Sequence, residues 1–273
     1  MPDTPSLNAR TLAVGAACLV LGFVAGFFVT NSINRDEQEK LRAEVATLRA
    51  SGAGGEKAAA QPGGRPSDAA SGKESFPTLT DEQLSNAVKQ ADASPSDAEL
   101  QNKVGQALYF YAWEKGNEQI LPDVGRILKR AHALDPKNYR TAVLAGDAHF
   151  LLANGGGGGG NAAALAESRK FYQDALALKP DDAQVRTNLG RTYFYDKPSD
   201  PRRAISEYRR ALQSDPKLEM SVQSLAAALI ETGGFEEAGR RLDELEKLNP
   251  SNPELANLRA QLEQKRNAAK EKQ

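Results

Sequence analysis

The chain has 273 residues, with 35 Lys or Arg against 36 Asp or Glu, so its formal net charge is -1 at pH 7. Both signs of charge are mixed along the chain without a basic stripe interleaved with aromatic residues, which argues against nucleic-acid binding. The single cysteine, Cys18, excludes an intrachain disulfide and leaves the redox compartment open.

The first predicted element is a membrane span. Residues 11–34 carry no charged side chain, and a helix of this length extends about 36 Å, enough to cross a hydrocarbon core about 30 Å thick. A buried soluble helix, a cleaved signal peptide and a lipoprotein signal at Cys18 are the alternatives. The long apolar run, which continues well past Cys18, and the absence of a small-x-small cleavage site before Asn31 favour a retained anchor after a short tail, 1–10.

Two features near the span favour self-association. Cys18, Gly22 and Gly26 are four residues apart and share one helix face, where small residues allow close backbone contact, although glycine is also simply frequent in membrane helices. Residues 35–50 are predicted to form a short coiled-coil-like helix. Its apolar positions, which amount to two heptads at most, are Leu41, Val45 and Leu48. Because such a coil is too short to be stable alone, the sequence predicts a weak homodimer supported by both features.

Residues 51–76 read SGAGGEKAAAQPGGRPSDAASGKESF. Gly, Ala, Ser and Pro with almost no large apolar side chain cannot bury a core. This segment is therefore predicted to be a flexible linker between the membrane span and a single folded domain, residues 77–273.

Within the folded domain, proline recurs at a regular interval. Pro136, Pro180, Pro216 and Pro250 follow helical patterns, with gaps of 44, 36 and 34 residues, and Pro95 lies 41 residues before the first of them. A period of about 34 residues is typical of stacked helix-turn-helix repeats. The predicted repeats are 98–138, 139–182, 183–218 and 219–252.

Small residues recur at fixed places within these repeats, where two helices must cross with their axes about 8–10 Å apart. They are Gly105, Gly146, Gly190 and Ala226 at the eighth place, Val124, Ser168, Ala204 and Ala238 at the twentieth, and Ala131, Ala175, Ala211 and Leu245 at the twenty-seventh. The pattern, closest in LGRTYFY…AISEYRRALQSDP, resembles the tetratricopeptide repeat (TPR) family over about residues 98–252. The resemblance implies an all-α, TPR-type α-solenoid of about four repeats. It departs from the family at the fourth place, where a large aromatic residue is replaced by Gln101, Ala142, Arg186 and Val222.

Both ends of the array carry their own signals. Thr80 and Gln83 form a predicted capping box before a lead-in helix at about 80–92. A capping helix is predicted at about 253–270, with one apolar stripe and a polar outer face, as the last unit of a stacked array requires. The stripe consists of Leu255, Leu258 and Leu262.

The TPR resemblance also implies a binding surface, because the first helix of each repeat lines the family's concave groove. The predicted partner-binding residues are Tyr109, Phe110, Arg140, Asp147, Phe150, Gln184, Arg191, Phe194, Tyr195, Gln223 and Ile230. Aromatic anchors within a polar surround are typical of interface hot spots, although some of these residues could instead pack between repeats. The family's clamp for acidic chaperone tails is not matched, since Asn102 and Gln106 stand where lysine and asparagine would, and Leu144 replaces an asparagine.

Catalytic signals are lacking in the sequence. The two histidines, His132 and His149, have no metal-ligand spacing, and we expect His149 in the core and His132 on the surface. No G-x-S-x-G, phosphate-loop or HExxH motif occurs, and the glycine run 155–160 lacks the lysine that a phosphate loop needs. We therefore expect no enzymatic activity, cofactor or metal.

Membrane topology is the least determined feature of the sequence. Only Arg10 precedes the span, whereas four basic residues follow it by position 49, which favours a cytoplasmic array. Large C-terminal domains translocate largely regardless of such charges, however, and a short N-terminal tail usually stays inside. We predict a single-pass protein of a bacterial inner membrane with a periplasmic array.

This layout is similar to that of TPR accessory factors for cytochrome c maturation and envelope assembly adaptors. It predicts a tethered scaffold that binds peptide segments. The alternative is a holdase-like chaperone for unfolded envelope proteins.

Overall fold

The computed structural model describes residues 78–155 and 161–271, together with the isolated positions 43, 46 and 47. The predicted span 11–34 with Cys18, Gly22 and Gly26, the linker 51–76 and most of the helix predicted at 35–50 lie outside the described residues. No helix in the described part of the chain is long and apolar enough to cross a membrane. The described residues fall into two compact units, divided after Asp135.

The first unit contains a lead-in helix and one helical hairpin. Its elements are α1 (Asp81–Ala93), α2 (Ala98–Lys115), a 3-10 turn (Glu118–Ile120) and α3 (Leu121–Leu134). The predicted capping box is present, because the Thr80 hydroxyl accepts from the Gln83 N–H and the Gln83 side chain accepts from the Thr80 N–H. At the end of α2, Gly116 adopts φ 62°, a left-handed conformation that favours glycine.

The second unit is an all-α series of hairpins. Its helices are α4 (Tyr139–Asn154), α5 (Ala162–Leu178), α6 (Ala183–Phe194), α7 (Pro201–Ser214), α8 (Glu219–Thr232), α9 (Phe235–Leu248) and α10 (Leu255–Lys270). The described residues thus form ten α-helices and no strand, which agrees with the all-α, TPR-like fold that the sequence predicts.

The recurrent proline sets the boundary between hairpins by a local mechanism. Pro136 and Pro180 each lie just beyond the end of a helix, because the residue before a proline is driven out of the helical conformation. Two residues later, Asn138 and Asp182 accept hydrogen bonds from the third backbone N–H of the next helix, at 3.1 and 2.9 Å. One short segment therefore ends one helix and begins the next.

The eighth-place glycines allow the two helices of a hairpin to touch. A Cβ atom on Gly146 would lie 2.6 Å from Cε1 of Tyr172, and one on Gly190 would lie 2.5 Å from Cε1 of Tyr208. Gly105 meets Leu128 in the same way, at 2.8 Å from Cδ2. These distances are too short for any real Cβ atom, so the close crossing predicted from the sequence is confirmed in three hairpins.

At the fourth place of two repeats, this chain has a polar side chain where the family has an aromatic one. Gln101 donates from Nε2 to the carbonyls of Ala91 (2.5 Å) and Ser94 (3.0 Å), which terminate α1. Arg186 donates to the carbonyl of Pro180 (2.6 Å) and to Glu207 (3.1 Å). Gln101 thus satisfies a carbonyl in the last turn of α1, and Arg186 satisfies a carbonyl in the turn after α5.

The last helix closes the second unit as predicted. Leu255, Leu258 and Leu262 are buried and belong to the same apolar cluster as Leu242 and Leu245 of α9. On its polar side, α10 forms ion pairs with preceding helices, among them Lys265–Glu231 at 2.6 Å and Arg266–Glu236 at 2.8 Å. The apolar stripe is thus covered while the charged face stays in water.

Candidate functional site

The candidate site lies on the second unit, on the face formed by the first helices of its hairpins, α4, α6 and α8, which we call the inner face. At its centre is an aromatic–arginine cluster consisting of Phe150, Arg191, Phe194 and Tyr195. The Arg191 guanidinium carbon lies 4.7 Å from the Phe150 ring centroid and 5.9 Å from that of Tyr195. Tyr195 meets Phe150 and Phe194 edge-on, at centroid distances of 6.0 and 5.4 Å. Residues from two adjacent hairpins are thereby joined by ring and cation–π contacts.

A buried carboxylate lies beside this cluster. Asp147 of α4 accepts hydrogen bonds from the Tyr172 hydroxyl (2.6 Å) and from Nδ2 of Asn188 (3.4 Å). Burial raises the pKa of Asp147 to about 7, while Tyr172, the Arg191 charge and Asn188 act in the opposite direction. The carboxyl therefore has a protonation equilibrium near neutral pH, at a point where three helices meet.

Polar contacts continue along the inner face from α6 to α8 and to the turn that precedes α10. The hydroxyls of Thr187 and Ser221 are hydrogen-bonded to each other, and Gln184 approaches the sulfur of Met220 at 3.6 Å. Gln223 accepts from Nδ2 of Asn252 at 2.8 Å. Neighbouring first helices are therefore held together by satisfied polar pairs as well as by apolar packing.

Exposure divides the predicted inner-face residues of this unit into two groups. The side chains that are buried are those of Asp147, Phe150, Arg191, Gln223 and Ile230; those that are half-buried and reachable are Arg140, Gln184, Phe194 and Tyr195. Phe150 is 1 % and Arg191 2 % exposed, so in this structure both serve to position the accessible ring of Tyr195. Direct contact of the buried group with a partner stays a prediction.

Two predicted partner-binding residues, Tyr109 and Phe110, belong to α2 in the first unit. Their rings meet edge-on at a centroid distance of 5.3 Å. Both are buried, with exposures of 5 % and 8 %. Their part in partner binding likewise stays a prediction.

The burial of the two histidines differs from what the sequence predicts. His149, which we expected in the core, is half-buried, and its ring stacks on Phe171 at a centroid distance of 5.4 Å. The prediction that His132 lies on the surface is wrong: its side chain is 8 % exposed, because the last turns of α3 are packed on this side as well. Among the described residues, no group of three or more His, Cys, Asp or Glu is arranged to hold a metal ion.

Comparison with known proteins supports the repeat interpretation. A family model described as "Tetratricopeptide repeat" matches residues 198–262, which span the loop before α7 to the middle of α10. No curated protein sequence matches the chain.

Solved structures share the fold. YrrB, described as "a TPR protein with an unusual peptide-binding site", superposes with a TM-score of 0.51 at 14 % identity, covering 65 % of this chain and 82 % of that one. MamA MSR-1 C2 gives 0.50 at 16 % identity, covering 78 % and 94 %. A further MamA crystal structure gives 0.49 at 20 % identity, covering 62 % and 88 %. Residues 198–262 are thus similar to the tetratricopeptide repeat, and the fold of the described chain is of the same all-α type.

Proposed function

We propose that the protein is a membrane-tethered scaffold that binds peptide segments of other proteins through the inner face of residues 136–271. The observation that carries the proposal is the aromatic–arginine cluster, in which two buried side chains fix two accessible aromatic rings on a rigid pair of helices. Rings held in this way lose little conformational entropy on binding, which is the property of an interface anchor. The tetratricopeptide match and the peptide-binding site named for YrrB favour the same class of function.

The accessible side chains indicate the chemistry of the bound segment. Phe194 and Tyr195 offer apolar ring edges, so the peptide contributes an aliphatic or aromatic side chain here. Gln184 and Arg140 lie about 15 Å away, towards the N-terminal ends of α6 and α4, and offer an amide and a guanidinium that suit backbone carbonyls or an acidic side chain of the peptide. Burial lowers the pKa of Arg140 because it disfavours the charged guanidinium. An acidic group of the peptide would stabilise that charge.

The binding face is tested by co-purification of partners with a Phe194→Ala plus Tyr195→Ala variant. We expect the specific partners to be lost, because the exposed anchors are removed while the buried members of the cluster remain. Leu178→Ala is the matched control, since Leu178 is an apolar residue of α5 with 39 % exposure. Retention of every partner by the double variant would count decisively against the inner face.

The tether and its location belong to the same proposal. Residues 11–34 anchor the chain in a bacterial inner membrane, and the array lies in the periplasm, where it gathers partners for the assembly or maturation of envelope proteins, in the manner of a cytochrome c maturation accessory factor. An alkaline phosphatase fusion at residue 273 tests the orientation, because the enzyme is active only after export; an inactive fusion places the array in the cytoplasm. Replacing Gly22 and Gly26 by Ile tests the weak homodimer, and an unchanged membrane self-association reporter argues against it.

A holdase-like chaperone is the second candidate function. The half-buried rings of Phe194 and Tyr195 would also suit a chaperone, because apolar side chains of unfolded clients bind such surfaces without sequence selectivity. Suppression of aggregation of several unrelated clients supports this function. Saturable affinity for one defined peptide supports the scaffold.

A further inference from the structure

Two contacts, one helical turn apart, join α4 to α6. Asp147 and Phe150 are three residues apart and share one side of α4. Asn188 and Arg191 have the same spacing on α6. In the first contact Nδ2 of Asn188 donates to Asp147 at 3.4 Å, and in the second the Arg191 guanidinium carbon lies 4.7 Å from the Phe150 ring centroid. The hairpins α4–α5 and α6–α7 therefore share a polar contact beside the aromatic–arginine cluster.

The polar contact uses only half of the hydrogen-bonding capacity of Asn188. This side chain is buried, and its Oδ1 atom accepts no hydrogen bond from the described part of the chain. The bond from Nδ2 to Asp147 is long, at 3.4 Å, whereas most such bonds measure about 2.9–3.0 Å. Because a buried acceptor without a donor costs free energy, a donor for Oδ1 would stabilise the contact.

Asp147 can supply that donor when it carries a proton. The Tyr172 hydroxyl (2.6 Å) and Nδ2 of Asn188 both donate to Oδ1 of Asp147, which leaves Oδ2 to hold the proton. A carboxylic acid and a carboxamide can form two hydrogen bonds side by side: the amide N–H donates to one carboxyl oxygen, and the acid O–H donates to the amide oxygen. An ionised carboxylate only accepts, so it makes the first of these bonds alone.

The groups around Asp147 leave its carboxyl able to gain and lose a proton near neutral pH. Burial raises the pKa of Asp147 to about 7, although the Tyr172 hydroxyl on α5 and the Arg191 charge on α6 favour the ionised form. The charge of Asp182, at the N-terminus of α6, acts in the same direction as burial. On α4 itself, Tyr139 also interacts with Asp147, but burial raises the pKa of this phenol above its ordinary value of 10.0. Tyr139 therefore stays neutral while Asp147 titrates.

We propose that Asp147 and Asn188 form a proton-dependent clasp between the hairpins α4–α5 and α6–α7. Protonation of Oδ2 of Asp147 adds the second hydrogen bond and closes the clasp. Loss of the proton leaves the single long bond and loosens it. The clasp thus regulates how firmly the two hairpins that carry the aromatic–arginine cluster are held together. It does not depend on peptide binding, so it can be tested without a ligand.

Carbon NMR of the full-length chain, with isotope labels in the side-chain carbonyl carbons of Asp and Asn, tests the clasp directly. We expect the Cγ resonances of Asp147 and Asn188 to titrate with one common midpoint near pH 7, because the acid proton is donated to the amide oxygen. Asn249 is the control, since its amide donates to Glu219, and its resonance should stay constant. An Asn188 resonance that also stays constant, or an Asp147 midpoint outside about pH 5–9, overturns the proposal.

Two variants should shift the Asp147 midpoint in opposite directions. Asn188→Leu removes the acceptor of the acid proton, so we expect the midpoint to fall by about 0.5–1 pH unit. Tyr172→Phe removes a donor to the carboxylate, so the midpoint should rise. A rise in Asn188→Leu would mean that the amide serves only as a donor to the ionised carboxylate, which contradicts the clasp.

Hydrogen exchange measures the effect on the hairpins themselves. From about pH 8 to about pH 6, after correction for intrinsic rates, we expect exchange in α6 of the parent chain to slow by up to about tenfold, while α10 changes little. Asp147→Asn carries an amide donor in place of the acid proton, so its α6 should exchange slowly at both pH values. If Asp147→Asn shows the same pH dependence as the parent chain, the clasp is not what holds the two hairpins together.

Discussion

The hydroxyl of Tyr172 donates a 2.6 Å hydrogen bond to the carboxyl group of Asp147, and both side chains are buried. The bond joins α5 to α4 beside the aromatic–arginine cluster. Asn188 of α6 donates to the same oxygen of Asp147 at 3.4 Å, so the carboxyl is shared by two hairpins. Its protonation state therefore bears on the stability of the face that we propose to bind peptides.

Stability should depend on pH through Asp147. Burial raises the pKa of this group in the folded state to about 7, from an ordinary value of 3.8. Between these values the folded state binds more protons than the unfolded state, so the free energy of unfolding should rise as pH falls from about 7 towards 4, by at most about 1.4 kcal/mol per pH unit. Urea unfolding at a series of pH values measures this slope. Asp147→Asn should flatten it, and an identical slope in the variant would refute the assignment.

The close approach at Gly190 predicts a steric penalty. Gly190→Ala places a methyl group 2.5 Å from Cε1 of Tyr208, with the Ala204 carbonyl at 3.3 Å. We expect a loss of about 1–3 kcal/mol in the free energy of unfolding. Gly239→Ala is the control, since the nearest atom to its added methyl is 3.9 Å away, and it should stabilise α9 by about 0.5–1 kcal/mol. Thermal unfolding of both variants distinguishes them by sign.

Removal of Arg186, at the fourth place of the third repeat, should leave polar groups without a hydrogen-bond donor and so destabilise the fold. Arg186→Met leaves the Pro180 carbonyl and the Glu207 carboxylate without this donor, in a site where both charged side chains are at most 15 % exposed. The expected loss is about 1–3 kcal/mol. Arg203→Met should change stability by less than about 0.5 kcal/mol, because Arg203 is 72 % exposed in its pair with Asp200. If both variants lose the same free energy of unfolding in denaturant, the buried pair contributes no more to stability than the exposed pair.

Truncation of a core side chain in the terminal helix, α10, should destabilise the chain locally. Leu262→Ala removes a side chain that is 5 % exposed in the core shared by α9 and α10, at an expected cost of about 2–5 kcal/mol. Because stacked hairpins interact chiefly with their neighbours, amide hydrogen exchange should accelerate in α8 to α10 and change little in α4 and α5. Gln264→Ala, on the exposed side of α10, serves as the control. Uniform acceleration throughout the second unit would contradict nearest-neighbour behaviour.

The repeat architecture could be predicted from the sequence because its determinants are local. A proline ends a helix by steric exclusion, the Asn or Asp two residues after Pro136 and Pro180 caps the next helix, and a glycine at the eighth place of the first three repeats permits a close crossing whatever lies further away. Gly146 and Gly190 could therefore be assigned to helix crossings, and Leu262 to a terminal stripe, without coordinates. The inner face follows from the resemblance to the tetratricopeptide repeat family, and the spacing within one helix only fixes which side chains share a side.

Tertiary structure alone decided how far each of those side chains reaches solvent. The family resemblance assigns both Phe150 and Tyr195 to the inner face, yet Phe150 is 1 % exposed and Tyr195 is half-buried, because the Arg191 guanidinium lies over the Phe150 ring. His132 is buried for a similar reason: exposure depends on what other helices bring against a side chain, and periodicity within its own helix carries no record of that. The sequence alone thus determined where the helices begin, end and cross, which depends on short-range sterics and hydrogen bonds. Which residues remain available to a partner depends on contacts between segments far apart in the chain, and only the folded structure determines those.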